Sequence, residues 1–348
     1  MTALQESGMK TQPLIMGAVR RLGVKELQPF VKSLRATGYQ GDCVLFTTSV
    51  SASTLRYLHD QKIRTIPFFY PAVRNHQPFL YGWKIWKRLL GLLPEQETKF
   101  KLARLVWDLF FLRFLFYRDY LKTHEEYTHI MITDVRDVLF QENPFIWMGQ
   151  KQGVFCFEEA PGLTIGKSPA NSRMVREVFG ANGLAQVGHR QVSCAGITFG
   201  TRTPLLLYLQ RFLDLALQAK SLWPCSGSDQ GIHNYIIHQT RIPALQLVNN
   251  EGPVFTMGCV PRQQIRQNSL GQIINHEGTV YPILHQYDRF KDLTLSCFTR
   301  PCQTASGRHL GWHFKVERPL FCLEPDPQSL SPTRAWASSF WTKSTTAL

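Results

Sequence analysis

The sequence predicts a single α/β domain in which a mixed, mainly parallel central sheet is flanked by helices. From Pro13 onward, short apolar runs of strand-forming residues alternate with helix-length amphipathic segments, a pattern typical of strand–helix–strand units. One of these runs, His129 to Thr133, ends directly at Asp134. Open α/β sheets place their ligands at the carboxyl ends of such strands. The chain of 348 residues is long enough to bury a sizeable core.

The first half of the chain alternates predicted strands and helices around one interruption. The predicted strands are Leu14 to Val19, Asp42 to Thr48, Ile63 to Phe68 and His129 to Thr133. The predicted helices are Lys25 to Ala36, Ser51 to Asp60, where the serine is suited to capping, and Lys99 to Lys122. Aromatic, leucine and basic residues crowd together in residues 69–98. We therefore interpret 69–98 as an insertion.

The second half continues the alternation up to a polar tail. The predicted strands are Val154 to Phe157, Ala195 to Phe199, Ala244 to Val248 and Val254 to Met257, and the predicted helices are Pro204 to Ala219 and Ser228 to His238. Residues 325–348 are rich in Pro, Ser and Thr. We expect flexible ends at residues 1–12 and 325–348, with the domain spanning 13–324.

Charge and cysteine content narrow the function classes. The net charge is +14, and Gln61 to Lys122 alone carries twelve Lys or Arg against four Asp or Glu, so an anionic partner is expected. The eight cysteines show no CxxC spacing, which favours reduced thiols. With no signal-like apolar run before Pro13, we expect a cytoplasmic protein, either free or peripheral on the inner membrane face. The apolar stretch Leu105 to Leu121 is interrupted by four charged residues, which favours a buried helix over a membrane span.

Two carboxylates follow the predicted strand at His129 to Thr133. Hard divalent cations need oxygen ligands at the end of a rigid element, and Asp134 and Asp137 are suitably placed. Residues three apart on a straight strand face opposite ways. Both side chains reach one site only if the strand breaks at Val135 and Arg136, so a turn is predicted there. The alternative is an aspartate pair that caps a turn, with Arg136 in a salt bridge.

The segment from Ile132 to Phe145, with sequence ITDVRDVLFQENPF, resembles the acidic motif of GT-A nucleotide-diphospho-sugar glycosyltransferases. This resemblance implies a Rossmann-like fold, a nucleoside-diphosphate sugar donor, and Mn²⁺ or Mg²⁺ held by Asp134 and Asp137, with Asp134 also near the donor ribose. The family has DxD where this chain has DxxD. Which acid binds the metal directly stays open.

Two further segments occur in the family's order. The segment LIMGAVRR, from Leu14 to Arg21, resembles the family's first strand and loop, which implies donor contacts at Ala18, Val19 and Arg20. Arg113 lies on the helix before the acidic strand, where the resemblance implies a basic residue facing the diphosphate and a role in catalysis. The alternatives are a surface loop with two arginines, and an Arg113 side chain paired with Asp108 or Asp134.

Three later segments complete the resemblance, which covers Pro13 to Arg289. The small residues Ala195 and Gly196 resemble the strand under the donor sugar, although close strand packing would also explain them. The segment SDQGIHN resembles a helix start beside the sugar, which implies a catalytic Asp229 and a donor-binding Gln230; an acid there could also simply favour the helix dipole. His285 resembles the late histidine that returns to the metal, and a core or surface histidine is its alternative.

The resemblance implies metal-assisted transfer of a hexose or other sugar to an acceptor hydroxyl on a glycan, lipid or protein. An inverting enzyme would need Asp229 as a base, and retention is slightly favoured. A sugar nucleotidyltransferase is an alternative, although Gly17 to Gly23 is a poor version of its glycine-rich signature. A non-catalytic basic binder of a membrane surface or nucleic acid is another. Residues 81–93, with Trp83 and Trp86, would supply a peripheral membrane contact, and no nucleic-acid partner is expected.

Overall fold

Helices and strands alternate through most of the chain. The fold is that of a computed structural model, which describes residues 12–70, 89–105, 107–219, 228–290, 293–298 and 311–315. The strands are β1 Pro13–Arg20, β2 Asp42–Thr48, β3 Arg64–Pro67, β4 His129–Thr133, β5 Val138–Phe140, β6 Val154–Glu158, β7 Ser193–Thr201, β8 Leu245–Val248, β9 Val254–Thr256, β10 Arg266–Gln267, β11 Ile273–Ile274, β12 Ile283–His285, β13 Thr294–Phe298 and β14 Gly311–Lys315.

The helices are α1 Val24–Ala36, α2 Ala52–Asp60, α3 Gln96–Ala103, α4 Leu109–Thr123, α5 Pro144–Met148, α6 Pro169–Val187, α7 Arg202–Gln218 and α8 Ser228–Gln239. Residues 89–92 are also helical, and short 3₁₀ turns cover Arg262–Gln264 and Tyr287–Arg289.

Seven strands form the central sheet in the order β3-β2-β1-β4-β7-β6-β8. The pairs β2–β3, β1–β2, β1–β4 and β6–β8 are parallel, whereas β7 runs antiparallel to both β4 and β6. The prediction of a mixed, mainly parallel sheet flanked by helices is confirmed. Parallel strands place their carboxyl ends at one edge, so β1, β2 and β4 end together there.

Both faces of the sheet are covered, as a mainly parallel sheet requires. Alternate residues of β1 face opposite sides: Leu14 packs into the cluster that includes α4 and α7, and Ile15 packs into the cluster beneath α1. Phe114 of α4 stacks on Phe212 of α7 with ring centroids 3.7 Å apart. The core is therefore two apolar layers with the sheet between them.

A second, three-stranded sheet lies beyond the carboxyl end of β4. Its order is β5-β12-β9, with β5 antiparallel and β9 parallel to β12. Its strands are only three residues long. One side contributes Val138, Phe140 and Val254 to the cluster beneath α1, and the other contributes Leu139 and Leu284 to a separate small core. This sheet brings distant parts of the chain to the end of β4.

The single helix predicted over Lys99 to Lys122 is wrong, because two helices, α3 and α4, occupy this stretch. Asp108 has an extended backbone, with φ −65° and ψ 161°, and its side chain accepts a hydrogen bond from the Phe110 N–H at 3.1 Å. An aspartate in this conformation starts a helix. Trp107, just before it, is fully buried and anchors the break in the core.

Helix α6 was not predicted. Its sequence includes Gly180, which breaks the helix with φ 76° and ψ −170°, a conformation that favours glycine. Its start is marked by Ser168, whose hydroxyl accepts from the Asn171 N–H at 3.3 Å. A Cβ at Gly231 of α8 would lie 2.7 Å from the Met174 carbonyl oxygen. The two helices therefore pack closely, and α6 supports the start of α8.

Other local predictions hold. Ser51 caps α2 by accepting a hydrogen bond from the Thr54 N–H at 3.3 Å, as its sequence position predicts. Residues 1–11, the 71–88 part of the insertion with Trp83 and Trp86, and the tail 325–348 lie outside the described residues. Among the helices that the structure describes, each is too short or too polar to cross a membrane.

Candidate metal centre

The end of β4 positions Asp134 against strand β7. Thr133 is paired with Ile197, and the Asp134 N–H donates to the Gly196 carbonyl oxygen at 2.7 Å. The backbone of Asp134 is thus held by the last hydrogen bond of a central strand pair. Its side chain projects at the edge where the parallel strands end.

The chain bends over residues 135–137 before β5 begins, so the predicted turn at Val135 and Arg136 is confirmed. Val138 is paired with His285 of β12, and the Gln286 N–H donates to the Asp137 carbonyl oxygen at 2.8 Å. The short β5–β12 pairing therefore sets Asp137 beside His285.

Asp134, Asp137 and His285 form a cluster whose ligand atoms all lie within 4.8 Å of one another. The His285 Nε2 atom is 3.8 Å from Asp134 Oδ2 and is buried without a hydrogen-bond partner. That distance is too long for a hydrogen bond. Two atoms that each lie about 2.1 Å from one ion can be up to about 4.2 Å apart, so closing the widest pair takes roughly half an ångström. The cluster could hold a metal ion.

Gly196 leaves the room that this cluster occupies. A Cβ at this position would lie 2.5 Å from His285 Cε1, 2.6 Å from Nε2 and 2.9 Å from Asp134 Oδ2. Carbon atoms in contact are normally about 3.5–4.0 Å apart. Only glycine fits between the histidine and the aspartate, and the backbone at the cluster is therefore part of the site.

Arg113 of α4 lies between two carboxylates. Its Nη1 donates to Asp134 Oδ1, and its Nη2 donates to Asp229 Oδ2 at 2.6 Å. The alternative pairing with Asp134 is therefore present, together with a contact to Asp229 that the sequence did not indicate, whereas Asp108 caps α4. The arginine joins α4, the end of β4 and the start of α8. It leaves Asp134 Oδ2 facing His285.

Burial and neighbouring charges shift the pKa values of Asp134 and Asp229 in opposite directions. Burial favours the neutral form of Asp134, but the Arg113 guanidinium and His285 outweigh it and lower its pKa. Asp229 shares the same arginine, yet burial and the Asp134 carboxylate raise its pKa. The difference follows from the neighbours, since Asp134 also faces His285, whereas Asp229 faces the Asp134 carboxylate.

The pKa values of Asp137 and His285 are both raised. Burial raises the pKa of Asp137, and the neighbouring carboxylates of Asp134 and Asp288 add to it. Burial opposes the charged form of His285, but the Cys194 thiol and the Asp134 and Asp137 carboxylates raise its pKa. The carboxylates are in excess at this point and draw positive charge, which a divalent cation would supply.

Strand β7 is irregular beside the cluster. One step along β6, from Cys156 to Phe157, corresponds to four steps along β7, from Thr198 to Cys194. The predicted residues Ala195 and Gly196 lie in this irregular stretch and are buried. Such bulges are frequent next to functional sites, because they interrupt pairing and redirect the backbone.

Helix α8 places the predicted Asp229 and Gln230 in its first turn. The Gln230 Nε2 donates to Glu159 Oε1 at 3.0 Å and to Asn171 Oδ1 at 2.8 Å. Glu159 is buried, and burial raises its pKa. Sequence reasoning missed Glu159, Asn171 and the buried Cys194. Glu159 had a usable signal, because it follows the apolar run of β6 as Asp134 follows β4.

The three donor-binding residues predicted on β1 differ in their surroundings. Ala18 is half-buried, and Val19 is fully buried in the core beneath α1. Arg20 is half-buried, with its guanidinium 4.3 Å from the centroid of the Tyr70 ring, and the Tyr70 hydroxyl donates to Asp108 Oδ2 at 2.9 Å. Tyr70 therefore lies beside Arg20 at the end of β1, whereas Val19 offers no exposed surface.

A surface cleft of about 440 Å³ lies elsewhere, between residues 90–99 and the end of α7. None of the predicted site residues lines it.

Neither known protein families nor curated proteins match the chain, and the interpretation of the site therefore rests on its residues and their geometry.

Proposed function

We propose that the protein is a GT-A-type glycosyltransferase that moves a sugar from a nucleoside-diphosphate sugar to an acceptor hydroxyl. The observation that carries this proposal is the convergence of Asp134, Asp137 and His285 at the carboxyl edge of the sheet, against the glycine-bearing bulge of β7. The sequence segments that resemble the family are the ones that meet there. The acceptor is a hydroxyl of a glycan, lipid or protein.

The donor set favours Mn²⁺ or Mg²⁺. Two carboxylates provide the oxygen ligands that these hard cations take, and an imidazole nitrogen is compatible with Mn²⁺. When bound, the cation would neutralise charge on the departing diphosphate. The buried and unpartnered His285 Nε2 supports this assignment, because a buried polar atom without a partner is costly.

Arg113 acts in this proposal through the two carboxylates that it holds. It occupies Asp134 Oδ1, which leaves Oδ2 toward His285, and it fixes Asp229 at the start of α8. A guanidinium already bound on two sides is not a free cation for the diphosphate. Its contribution is to preorganise the acidic cluster, and the implied direct contact of Arg113 with the diphosphate loses support.

The contacts of Asp229 bear on whether the transfer retains or inverts the configuration of the sugar. A base that removes a proton from the acceptor must reach it. Asp229 is bound to Arg113, its side chain is 5% exposed, and burial raises its pKa. These features suit a positioning group better than a base for an inverting reaction. We therefore keep retention as the proposed outcome.

The surroundings of the cluster provide groups for the rest of the donor. The half-buried Gln230 and the buried Glu159 form a polar pair near β7 that is suited to sugar hydroxyls. The half-buried Arg20 and Tyr70, with Ala18, lie at the end of β1. We assign them to the nucleoside.

The nucleotidyltransferase alternative has less support. Its signature needs a glycine-rich loop just after the first strand, but Gly17 lies within β1. A Cβ at Gly17 would lie 2.4 Å from the Val135 side chain. This glycine is explained by packing against the turn after β4, and so it does not form part of a phosphate-binding loop.

The experiment is hydrolysis of a panel of nucleotide sugars by purified protein, with and without Mn²⁺, followed by release of nucleoside diphosphate. We expect metal-dependent release from one donor. The Asp137→Ala variant should be slower by on the order of a hundredfold or more, the size of effect that follows loss of a charge-stabilising group.

Asp214→Ala is the matched control. Asp214 is a half-buried carboxylate of α7 that accepts hydrogen bonds from Gln210, at 2.8 Å, and from Gln96. It lies in helix α7 and is absent from the acidic cluster, so turnover should be unchanged. Equal losses in both variants, or the absence of turnover and binding with every donor, would contradict the proposal.

A further inference from the structure

Cys194 lies directly behind the histidine of the acidic cluster. Its sulfur is 3.5 Å from His285 Nδ1, on the opposite side of the imidazole from the unpartnered Nε2. Both residues are buried, with 4% exposure for Cys194 and 1% for His285. The thiol is thus sealed in the protein interior against the one nitrogen of His285 that does not face the carboxylates.

The remaining contacts of the thiol set the direction of this hydrogen bond. The Cys194 S–H donates to Gln230 Oε1 at 3.7 Å, and the Gly196 N–H donates to the sulfur at 3.5 Å. With its own proton directed to Gln230, the sulfur has only lone pairs to offer His285. The Nδ1 atom must then carry a hydrogen, so that, when a cation takes the place of the second proton, the Nε2 lone pair is the one that faces Asp134 and Asp137.

Thr256 is the competing partner, since its hydroxyl oxygen is also 3.5 Å from His285 Nδ1. The two distances are equal, but the threonine oxygen is a smaller atom than the cysteine sulfur. An N–H···O hydrogen bond is normally about 2.7–3.2 Å long, so 3.5 Å is long for the threonine oxygen. Sulfur is a larger atom, and 3.5 Å is an ordinary contact for it. The thiol is the better acceptor.

We propose that Cys194 is a positioning residue that holds His285 as the Nδ1–H tautomer and turns Nε2 toward the metal. This inference rests on the metal site of the proposed function and is independent of sugar transfer. Groups that hold a metal-ligating histidine from behind typically change metal affinity about 10–100-fold when removed. We expect the loss from Cys194→Ala to fall in that range.

The test is a titration with Mn²⁺ alone, in which the free ion is measured by electron paramagnetic resonance. Cys194→Ala is compared with Cys156→Ala, a matched control that removes another buried thiol, on the neighbouring strand β6, whose side chain packs into the apolar layer with α4 and α7. We expect Cys156→Ala to bind Mn²⁺ within about twofold of the wild type. Thr256→Val should also stay within about threefold.

The outcomes separate the two levels of the proposal. If the wild type does not bind Mn²⁺, the metal site itself is wrong, and the role of Cys194 with it. If the wild type binds and Cys194→Ala binds equally well, only the role of Cys194 is overturned. A loss in Thr256→Val without one in Cys194→Ala would make the threonine the acceptor.

A measurement on the wild type covers the case in which Cys194→Ala does not fold. In protein loaded with Zn²⁺, which is diamagnetic, ¹⁵N nuclear magnetic resonance of the imidazoles reports which nitrogen carries hydrogen. We expect His285 to show a protonated Nδ1 and a metal-bound Nε2. Metal bound at Nδ1, or hydrogen on Nε2, would overturn the inference.

Discussion

Replacing Gly196 with alanine tests the position of the cluster with a single methyl group. The new Cβ would lie 2.5 Å from His285 Cε1, about 1 Å closer than carbon atoms pack. The imidazole is buried, and Cys194 and Thr256 both contact its Nδ1 atom, so it cannot swing away freely. Either the imidazole or strand β7 must shift. The first shift moves His285, and the second moves Asp134, whose backbone is hydrogen-bonded to Gly196.

Two magnitudes follow. Overpacking a core typically costs about 1–3 kcal/mol of unfolding free energy. Displacing the histidine from the ion should weaken metal binding about 10–100-fold, or about 1.4–2.7 kcal/mol. The loss of unfolding free energy is expected at any crowded glycine, whereas the loss of metal affinity is expected at Gly196 because of its contact with His285.

Gly200→Ala supplies the matched control, because it lies on the same strand and its Cβ would lie 2.8 Å from Leu205 Cβ. Urea denaturation gives the stability of both variants, and Mn²⁺ titration gives their metal affinity. We expect similar stability losses and weakened Mn²⁺ binding only in Gly196→Ala. Equal Mn²⁺ affinities in the two alanine variants would refute the placement of Gly196 against the metal ligands.

Three other predictions concern charge. Asp137→Asn should weaken Mn²⁺ binding more than about tenfold in the same titration, and unchanged binding would remove Asp137 from the ligand set. Arg113→Met leaves the buried carboxylate of Asp229 and the half-buried carboxylate of Asp134 without their partner, so urea denaturation should show a loss of about 3 kcal/mol; a loss below about 1 kcal/mol would contradict the bridging role. His233 is buried, which lowers its pKa from 6.5 to about 3. The unfolded chain therefore takes up a proton that the folded protein refuses, and stability should fall by about 2 kcal/mol between pH 7 and pH 5. His233→Gln should lack that loss, and an equal fall in both proteins would refute the assignment.

The sheet was predictable where each strand is a buried apolar run with polar residues at its ends. Strands β2 and β4 match their predicted bounds, and β1 extends one residue further at each end. Burial on both faces makes such runs continuous. The break at Asp108 was missed because the apolar residues on both sides suggest one helix, although aspartate is a strong capping residue.

The candidate site could be predicted only in part. The bend after Asp134 followed from strand geometry alone, since two acids three residues apart cannot otherwise face one site. The approach of His285 could be expected only from the order of segments. It depends on β5 and β12, which are three residues long, too short to show a period of their own.

The contacts behind the cluster were beyond sequence reasoning. The line from His285 through Cys194 and Gln230 to Glu159 joins β12, β7, α8 and the end of β6. Glu159, Gln230 and His285 can each be singled out in the sequence, but only the packing of four elements brings them together with Cys194. A hydrogen-bonded set of this kind carries no spacing signal.

The measurement that tests the account most directly is a crystal structure with Mn²⁺ and a nucleoside diphosphate, using anomalous scattering at the manganese edge. The account predicts one anomalous peak within bonding distance of Asp134, Asp137 and His285 Nε2, with diphosphate oxygens completing its coordination. Manganese bound elsewhere, or a diphosphate bound away from this cluster, would contradict it.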